Sequence, residues 1–562
     1  MEDCAQNHEV CRWLGTPDSG DWLPTRLIDC SGPGHVRIIE TSEKMDRVRY
    51  VALSYVWGKG PPESQAHRTT TDNLSARIRV GIATETLPRT IRDAIYVTRT
   101  LGFYFLWIDS LCIIQNSDED KHREVRSMAR VYRHAYLTID AATAASVEDG
   151  FLQDRPLPHD RDDIVFPLVC PASPGDGHVQ AEARMGNVYF PRMGSSRKGH
   201  VYFPKDIFAM GRRLYSNAIG FEPSSDERPQ ITFKNETRLR GWCLQETMLS
   251  TRSLIFDVQS LSVKCQTRPS PRHVGFDRDR GQVSGLYDVI PDPISGSAID
   301  VRPGSDEWKK IHRRWQEIAM NYSNRSLTCP GDKLLACAAI AEVFHPHLGK
   351  GYLAGSWPQT ILHDLLWHVQ SEPPRPPKYP HAPSWSWLSA NAEINFFHKS
   401  SSSATLRLVA EVVDHSIALQ HETLHFGPVL PGGHLVLRAP LLSGKHHRDV
   451  YRFEYQQFAF EFPDLSFCIH DDHSEDPDIG NVFLVPIAID VNADSEEDSH
   501  PQAYGIMIAQ AEWSISQSAR FQDHSKVYQR TGLWSHIGED PEEWRLFIRM
   551  LQVVPKVEIV LV

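Results

Sequence analysis

The chain has 562 residues, 41% hydrophobic and 23% charged, an ordinary balance for folded protein that argues against extensive disorder. A formal net charge of -12 disfavours a dedicated nucleic-acid binder, because phosphate binding needs a basic surface. The length exceeds what one hydrophobic core supports, so two or three domains are expected.

The first ten residues are acidic and polar, with neither the basic nor the apolar region of a signal peptide. No stretch reaches the roughly 18 consecutive apolar residues that span a bilayer. The ten cysteines include no CxxC pair. A reducing intracellular location, with cytosol ahead of nucleus, no membrane and no nucleic acid is the expectation. Residues 1–47 form a lead-in, with short strands at Leu23–Ile28 and Val36–Ile39 about a Gly32-Pro33-Gly34 turn.

Residues 48–260 read as an α/β domain. Three apolar runs, Tyr50–Trp57, Phe103–Ile108 and Ala135–Ile139, are of the kind that strands buried on both faces require. The segments between them are helical. Pro88 opens one, with Ile91, Ala94, Ile95, Thr98 and Leu101 on a face and Gly102 placed to end it. Another starts near Asp118, with acids in its first turn and Val125, Met128, Ala129 and Tyr132 on a face. The polar loop after Gly58 has the length of a lid or binding loop. The periodicity fades over an insertion at about 146–235, where Val-Tyr-Phe-Pro occurs at Val188–Pro191 and Val201–Pro204, as in a hairpin. Structure returns at Arg240-Gly241-Trp242-Cys243-Leu244-Gln245-Glu246, a helix to about Leu249, and then a strand at Ser253–Phe256.

A helical region is expected at 305–372, including helices at Leu334–Phe344 and Ile361–Val369. After a Pro-rich linker, residues 384–562 read as an antiparallel β-rich domain, with strands at Thr405–Val413, His434–Arg438, Val482–Ile489, Ala503–Ala509 and Val553–Val562. Trp385 and Trp387, at strand spacing, would share a face and pack between domains.

Chemistry is expected where polar groups follow the first strands, because open α/β sheets bind ligands beyond their carboxyl ends. Ser54, Trp57 and Gly58 follow the first run, and Asp109 and Ser110 the second. Asp109-Ser110 suits either a sugar hydroxyl or the cap of a turn. Glu246, one helical turn beyond Trp242, is either a desolvated acid suited to glycosyl-bond chemistry or a surface acid paired with Arg240 or Arg252. Cys112 and Cys243 sit among apolar residues with no adjacent base, the pattern of inert buried thiols rather than nucleophiles. His345-Pro346-His347 and Cys468–His473 lack a partner cluster, so no metal centre is expected. Neither GxGxxG nor GxxxxGK[ST] occurs, and no bound cofactor is expected.

Four blocks resemble the fungal heterokaryon incompatibility (HET) domain: Tyr50–Gly58, Leu87–Ala94, Leu106–Gln115 and Arg240–Glu246. The Ala382-Pro383-Ser384-Trp385-Ser386-Trp387 motif and Gln529–Trp534 resemble regions that follow such domains. The resemblance implies a part in non-self recognition and programmed cell death. It also implies a remote likeness to TIR domains, hence a TIR/flavodoxin-like fold with a mostly parallel sheet and flanking helices. Some TIR domains cleave NAD at the nicotinamide–ribose bond with a glutamate in a Trp-Cys-Leu-x-Glu sequence, which Trp242–Glu246 matches. Carried over, Glu246 is the catalytic residue, and Ser54, Trp57, Gly58, Asp109, Ser110 and Trp242 line the substrate cleft, with NAD as substrate. The competing expectation is a non-catalytic signalling module that acts by self-association or by binding a protein partner.

Overall fold

A computed structural model describes residues 2–8, 11, 22–41, 48–58, 67–153, 164–170, 184–190, 236–257, 261–267, 301–327, 329–370, 381–396, 406–443, 467–471, 482–490, 501–511, 527–538 and 540–562. The chain divides into two compact units, Leu152–Lys234 and everything else. In the smaller unit, β7 (Ile164–Cys170) pairs antiparallel with β8 (Arg184–Phe190). Of the repeated tetrapeptide, Val188–Phe190 therefore lies in β8; the second copy and the rest of that expected hairpin lie outside the described residues.

The larger unit opens with α1 (Glu2–Asn7) and an eight-stranded sheet. Its strands are β1 (Arg26–Asp29), β2 (His35–Glu40), β3 (Tyr50–Ser54), β4 (Ile82–Ala83), β5 (Phe105–Trp107), β6 (Leu137–Asp140), β9 (Arg252–Phe256) and β10 (Leu261–Cys265). The spatial order is β10-β9-β6-β3-β5-β1-β2-β4. Only the inner four, β9, β6, β3 and β5, are mutually parallel. The expectation of a mostly parallel sheet is corrected to a mixed one, because the lead-in hairpin joins antiparallel beside β5 and β10 folds back on β9. Numbered along the chain, the parallel strands run 2-1-3-4, so the winding reverses between β3 and β6.

The buried runs behave as their composition dictates. Every residue of β3 and β9 is buried, because parallel strands carry helices on both faces. Between the strands lie α2 (Thr71–Arg79), α3 (Arg89–Thr100), α4 (Asp109–Cys112) and α5 (Asp118–His134). Helix α3 buries Ile91, Ala94, Ile95 and Thr98, and Gly102 follows with φ +80°, a conformation that favours glycine. Helix α5 starts at Ser117, whose hydroxyl accepts the Asp120 N–H, and its first turn carries Asp118, Glu119 and Asp120. Arg26 of β1 anchors this helix, reaching Asp120 at 2.5 Å and the Cys112 carbonyl at 2.6 Å.

Helices α6 (Glu236–Leu239) and α7 (Gly241–Leu249) return the chain to the sheet before β9. Helix α7 lies between two layers. It packs on α5 and on α9, and Leu244, Met248 and Leu249 enter a separate apolar core with Trp315, Phe344 and Trp357. That core belongs to α8 (Asp306–Ser323) and α9 (Lys333–Leu348), while the short α10 (Ile361–Asp364) that follows sends Ile361 into the core of the C-terminal sheet. The helix expected at Ile361–Val369 is only α10. Trp367–Val369 is a strand paired with Ile394–Phe396, and it buries Trp367 and Val369 on alternate positions.

The C-terminal sheet runs in the order Leu406–Leu408, Val482–Asp490, Gln502–Gln510, Val527–Ile537, Lys556–Leu561, His434–Pro440, Glu411–Ser416. Its pairings are antiparallel apart from Val527–Tyr528 against Val560–Leu561. The expected Val553–Val562 strand begins at Lys556, because α11 (Pro541–Val553) precedes it. Trp385 and Trp387 do not share a strand face. A turn leads into a short 3-10 helix from Trp387, which sends Trp387 into the helical core and Trp385 into the core of the C-terminal sheet. Among the described residues no helix is long and apolar enough to cross a membrane.

Candidate functional site

The carboxyl ends of β3, β5 and β6 meet α7 at the reversal of winding. Ser54 is the last residue of β3, and its hydroxyl donates to Glu246 Oε2 at 2.5 Å. Glu246 is 3% exposed. Burial pushes its carboxyl up to about 7. The Arg240 guanidinium and the Ser54 hydroxyl oppose that rise, while the neighbouring Asp109 adds to it. At neutral pH this acid therefore exists in comparable protonated and ionised fractions.

Asp109 begins α4, immediately beyond β5 and Ile108. Trp57 Nε1 donates to both of its oxygens, at 2.9 and 3.1 Å, and its own neighbour's N–H, that of Ser110, donates at 2.7 Å. Burial raises the Asp109 carboxyl, against the pull of Arg240. The Ser110 hydroxyl faces the core and accepts from Tyr55 at 2.8 Å. Ser110 thus braces the strand-end loop from behind. Gly58 has φ +97°, and a Cβ there would lie 2.8 Å from the Ser146 side chain, so the chain can turn past Ser146 only with glycine.

Arg240 supplies the positive charge of the site. It is the N-cap residue of α7, it donates to the Tyr55 carbonyl at 2.8 Å, and its guanidinium lies 5.7 Å from the centre of the Trp57 ring. Its proton is held more tightly than usual; burial works against the charge, but Cys243, Asp109 and Glu246 outweigh that. The helical layer fixes this end of α7. Gly241 N–H donates to the Ser326 carbonyl at 2.9 Å, and a Cβ at Gly241 would collide with Leu327 at 2.6 Å. Arg325 donates to the Arg240 carbonyl at 3.2 Å.

Of the residues expected to line a cleft, the structure brings Ser54, Trp57, Asp109 and Glu246 into one linked group. Trp242 leaves it: its indole N–H reaches Asp332 at 3.4 Å, and its ring bridges the sheet core and the helical core. Glu246 pairs with neither arginine as a surface acid, because it is inside the protein. Arg252 points elsewhere, to the N-terminal segment. The thiols of Cys112 and Cys243 are both raised by burial, Cys112 to about 12, so neither offers a thiolate at neutral pH. His345 accepts from Trp357 Nε1 at 3.3 Å, and the side chains of Cys468–His473 lie outside the described residues. The polar loop expected as a lid falls mostly at 59–66, also outside them.

One site residue, Asp140, carries no expectation from the sequence, and Arg240 figures there only as a possible partner of Glu246. Asp140 ends β6, is buried, and accepts from Thr237 at 2.8 Å; an acid closing an apolar strand was the available signal. The signal for Arg240 was a cation directly before the Trp-Cys-Leu-Gln-Glu helix.

The geometry defines a wound α/β module with a buried acid at its strand ends. Residues 50–246 match the family model described as heterokaryon incompatibility protein (HET), a match that opens at the first residue of β3 and closes at Glu246. A 93-residue stretch is 33% identical to heterokaryon incompatibility protein 6, OR allele, of Neurospora crassa. That stretch covers 16% of this chain and 14% of the relative. No solved structure matches the chain significantly.

Proposed function

We propose that the chain acts in fungal non-self recognition and that its HET domain cleaves NAD at the nicotinamide–ribose bond, with Glu246 as the catalytic residue. The observation that carries this reading is the Ser54–Glu246 pair, a desolvated acid held by one hydroxyl at the winding reversal of a 2-1-3-4 parallel core. That strand order is the one flavodoxin-like sheets use, and it supports the TIR-like reading of the domain.

In the proposed reaction the nicotinamide–ribose bond breaks heterolytically, and the bonding pair leaves with nicotinamide. The ribosyl carbon becomes oxocarbenium-like and is then captured by water, which gives its proton to solvent. Ionised Glu246 accepts hydrogen bonds from the ribose hydroxyls and stabilises the developing cation. Asp109, oriented by Trp57, adds negative potential, and Arg240 is available to the pyrophosphate. Because Glu246 is closed off, the resting chain is the inactive form, and turnover requires the strand-end loop to open. Association with a second copy or a protein partner is the proposed trigger.

The test is nicotinamide release from NAD by the purified full chain, alone and under conditions that drive association. Glu246→Ala should cut the rate by at least about 100-fold, in the range seen when a transition-state stabiliser is removed, with an unchanged circular dichroism spectrum. No release by the wild type in either condition, or equal release by the variant, overturns the enzymatic reading. If, in addition, Glu246→Ala remains as toxic as the wild type when overexpressed, assembly alone carries the function.

A further inference from the structure

The lead-in and the far edge of the sheet meet in a cluster of soft ligands. Cys4 lies on α1, with His8 and Cys11 just beyond it, and Cys265 is the last residue of β10. One ligand atom from each, three sulfurs and one imidazole nitrogen, all lie within 4.8 Å of one another. His8 Nδ1 faces Cys265 Sγ at 3.4 Å. His8, Cys11 and Cys265 are buried, and Cys4 is half-buried. None of the three cysteines is in a disulfide.

We propose that Cys4, His8, Cys11 and Cys265 form a tetrahedral site for one divalent cation of the zinc class. A Cys3His set is a common structural zinc shell, and the spacing Cys-x3-His-x2-Cys allows three ligands to come from one short segment. With Zn–S bonds of about 2.3 Å, tetrahedral geometry sets the sulfurs roughly 3.8 Å apart, inside the separation observed. Three thiolates, one neutral imidazole and a divalent cation leave a net charge of -1. The buried Arg252 compensates it. Its Nε donates to Cys4 Sγ at 3.3 Å and its Nη2 to the Cys11 carbonyl at 2.8 Å. A guanidinium donating to a ligand sulfur, and Thr267 Oγ1 at 3.3 Å from Cys11 Sγ, are the outer-shell contacts that orient metal ligands.

The site ties the N-terminal segment to the β9–β10 edge, at the amino end of the parallel strands and away from Glu246. It still bears on the Glu246 helix. Gln266, next to Cys265, donates to the carbonyls of Met248 and Ser250, both at 2.7 Å, and so closes the end of α7.

Elemental analysis and cobalt substitution of the full chain test the site without reference to NAD. The wild type, purified without chelator, should carry close to one zinc per chain. The cobalt form should show thiolate-to-cobalt charge transfer and the intense visible bands of a tetrahedral centre. Cys265→Ser should lose at least tenfold in metal affinity, and His8→Cys should retain the metal with a spectrum shifted toward four thiolates. A folded wild type with under a tenth of a metal per chain, a six-coordinate cobalt spectrum, or a Cys4–Cys11 disulfide in protein from a reducing cytosol overturns the proposal.

Discussion

Two carboxyl groups in this protein are equally deep and titrate in opposite directions. Glu246 has the Ser54 hydroxyl, the Cys243 thiol and the Arg240 charge favouring its ionised form, yet burial drives it up to about 7. Asp364 of α10 sits in the helical layer, and burial raises it too, but the His312 imidazole and three hydrogen bonds outweigh that and hold it below the usual carboxylate range. The bonds come from His312 at 2.7 Å, Gln316 at 3.0 Å and Thr360 at 2.6 Å. Burial alone therefore does not make an acid reactive. The neighbouring charge and the donors facing the carboxylate, set against burial, together decide whether it stays ionised as a structural anchor or keeps its proton toward neutral pH.

The largest stability effect belongs to the anchored acid. Asp364→Ala leaves His312, Gln316 and Thr360 facing a vacated buried space, and truncating one partner of such a network costs about 3–5 kcal/mol. The denaturant midpoint should fall sharply. The wild-type contribution of Asp364 is fully present above the unfolded carboxyl value of 3.8 and is lost as pH falls through its lower folded value, so the variant's deficit should shrink only in strong acid. A deficit unchanged down to the acid limit contradicts the assignment.

Glu246 should behave in the opposite sense. Folded, it keeps its proton to about pH 7; unfolded, only to 4.5. The folded chain thus binds more protons between those values, and stability falls as pH rises through that window. Glu246→Gln removes the titration and should stabilise the chain above pH 7 by up to about 3 kcal/mol, with little effect near pH 4. A variant that destabilises at pH 8 shows that the carboxylate is instead a structural anchor like Asp364.

Much of this contrast could be anticipated along the chain, and part could not. The β3, β5 and β6 runs and the Trp242–Glu246 helix are contiguous signals: each needs only its own composition and period to be read. Ser54 and Asp109 follow from them, because strand ends are fixed once the strands are. Trp242 shares a helical face with Glu246 in spacing alone. Its indole turns toward Asp332 because a second core, built from α8 and α9, covers that side of α7. The Cys4–His8–Cys11–Cys265 cluster had an incomplete local signal, the Cys-x3-His-x2-Cys spacing of three ligands without the fourth. His8 and Cys265 are 257 positions apart, and only the β9–β10 return brings them together. Likewise Trp367 reads as part of a helical apolar run, until pairing with the Ile394–Phe396 strand overrides the period.

The smallest change that sharpens the comparison is the loss of one donor. Ser54→Ala removes the hydroxyl that donates to Glu246 and leaves Arg240 in place. Because that hydroxyl favours the ionised form, its removal should raise the Glu246 carboxyl further. The pH window over which stability declines should then extend above pH 7. Glu246→Gln supplies the baseline, since in that background Ser54→Ala should leave no pH-dependent difference. An unchanged window in the single variant means that Arg240, not Ser54, sets the proton affinity of the acid. Glu246 would then be held as Asp364 is, by charge, and the strand-end hydroxyl would be a packing contact only.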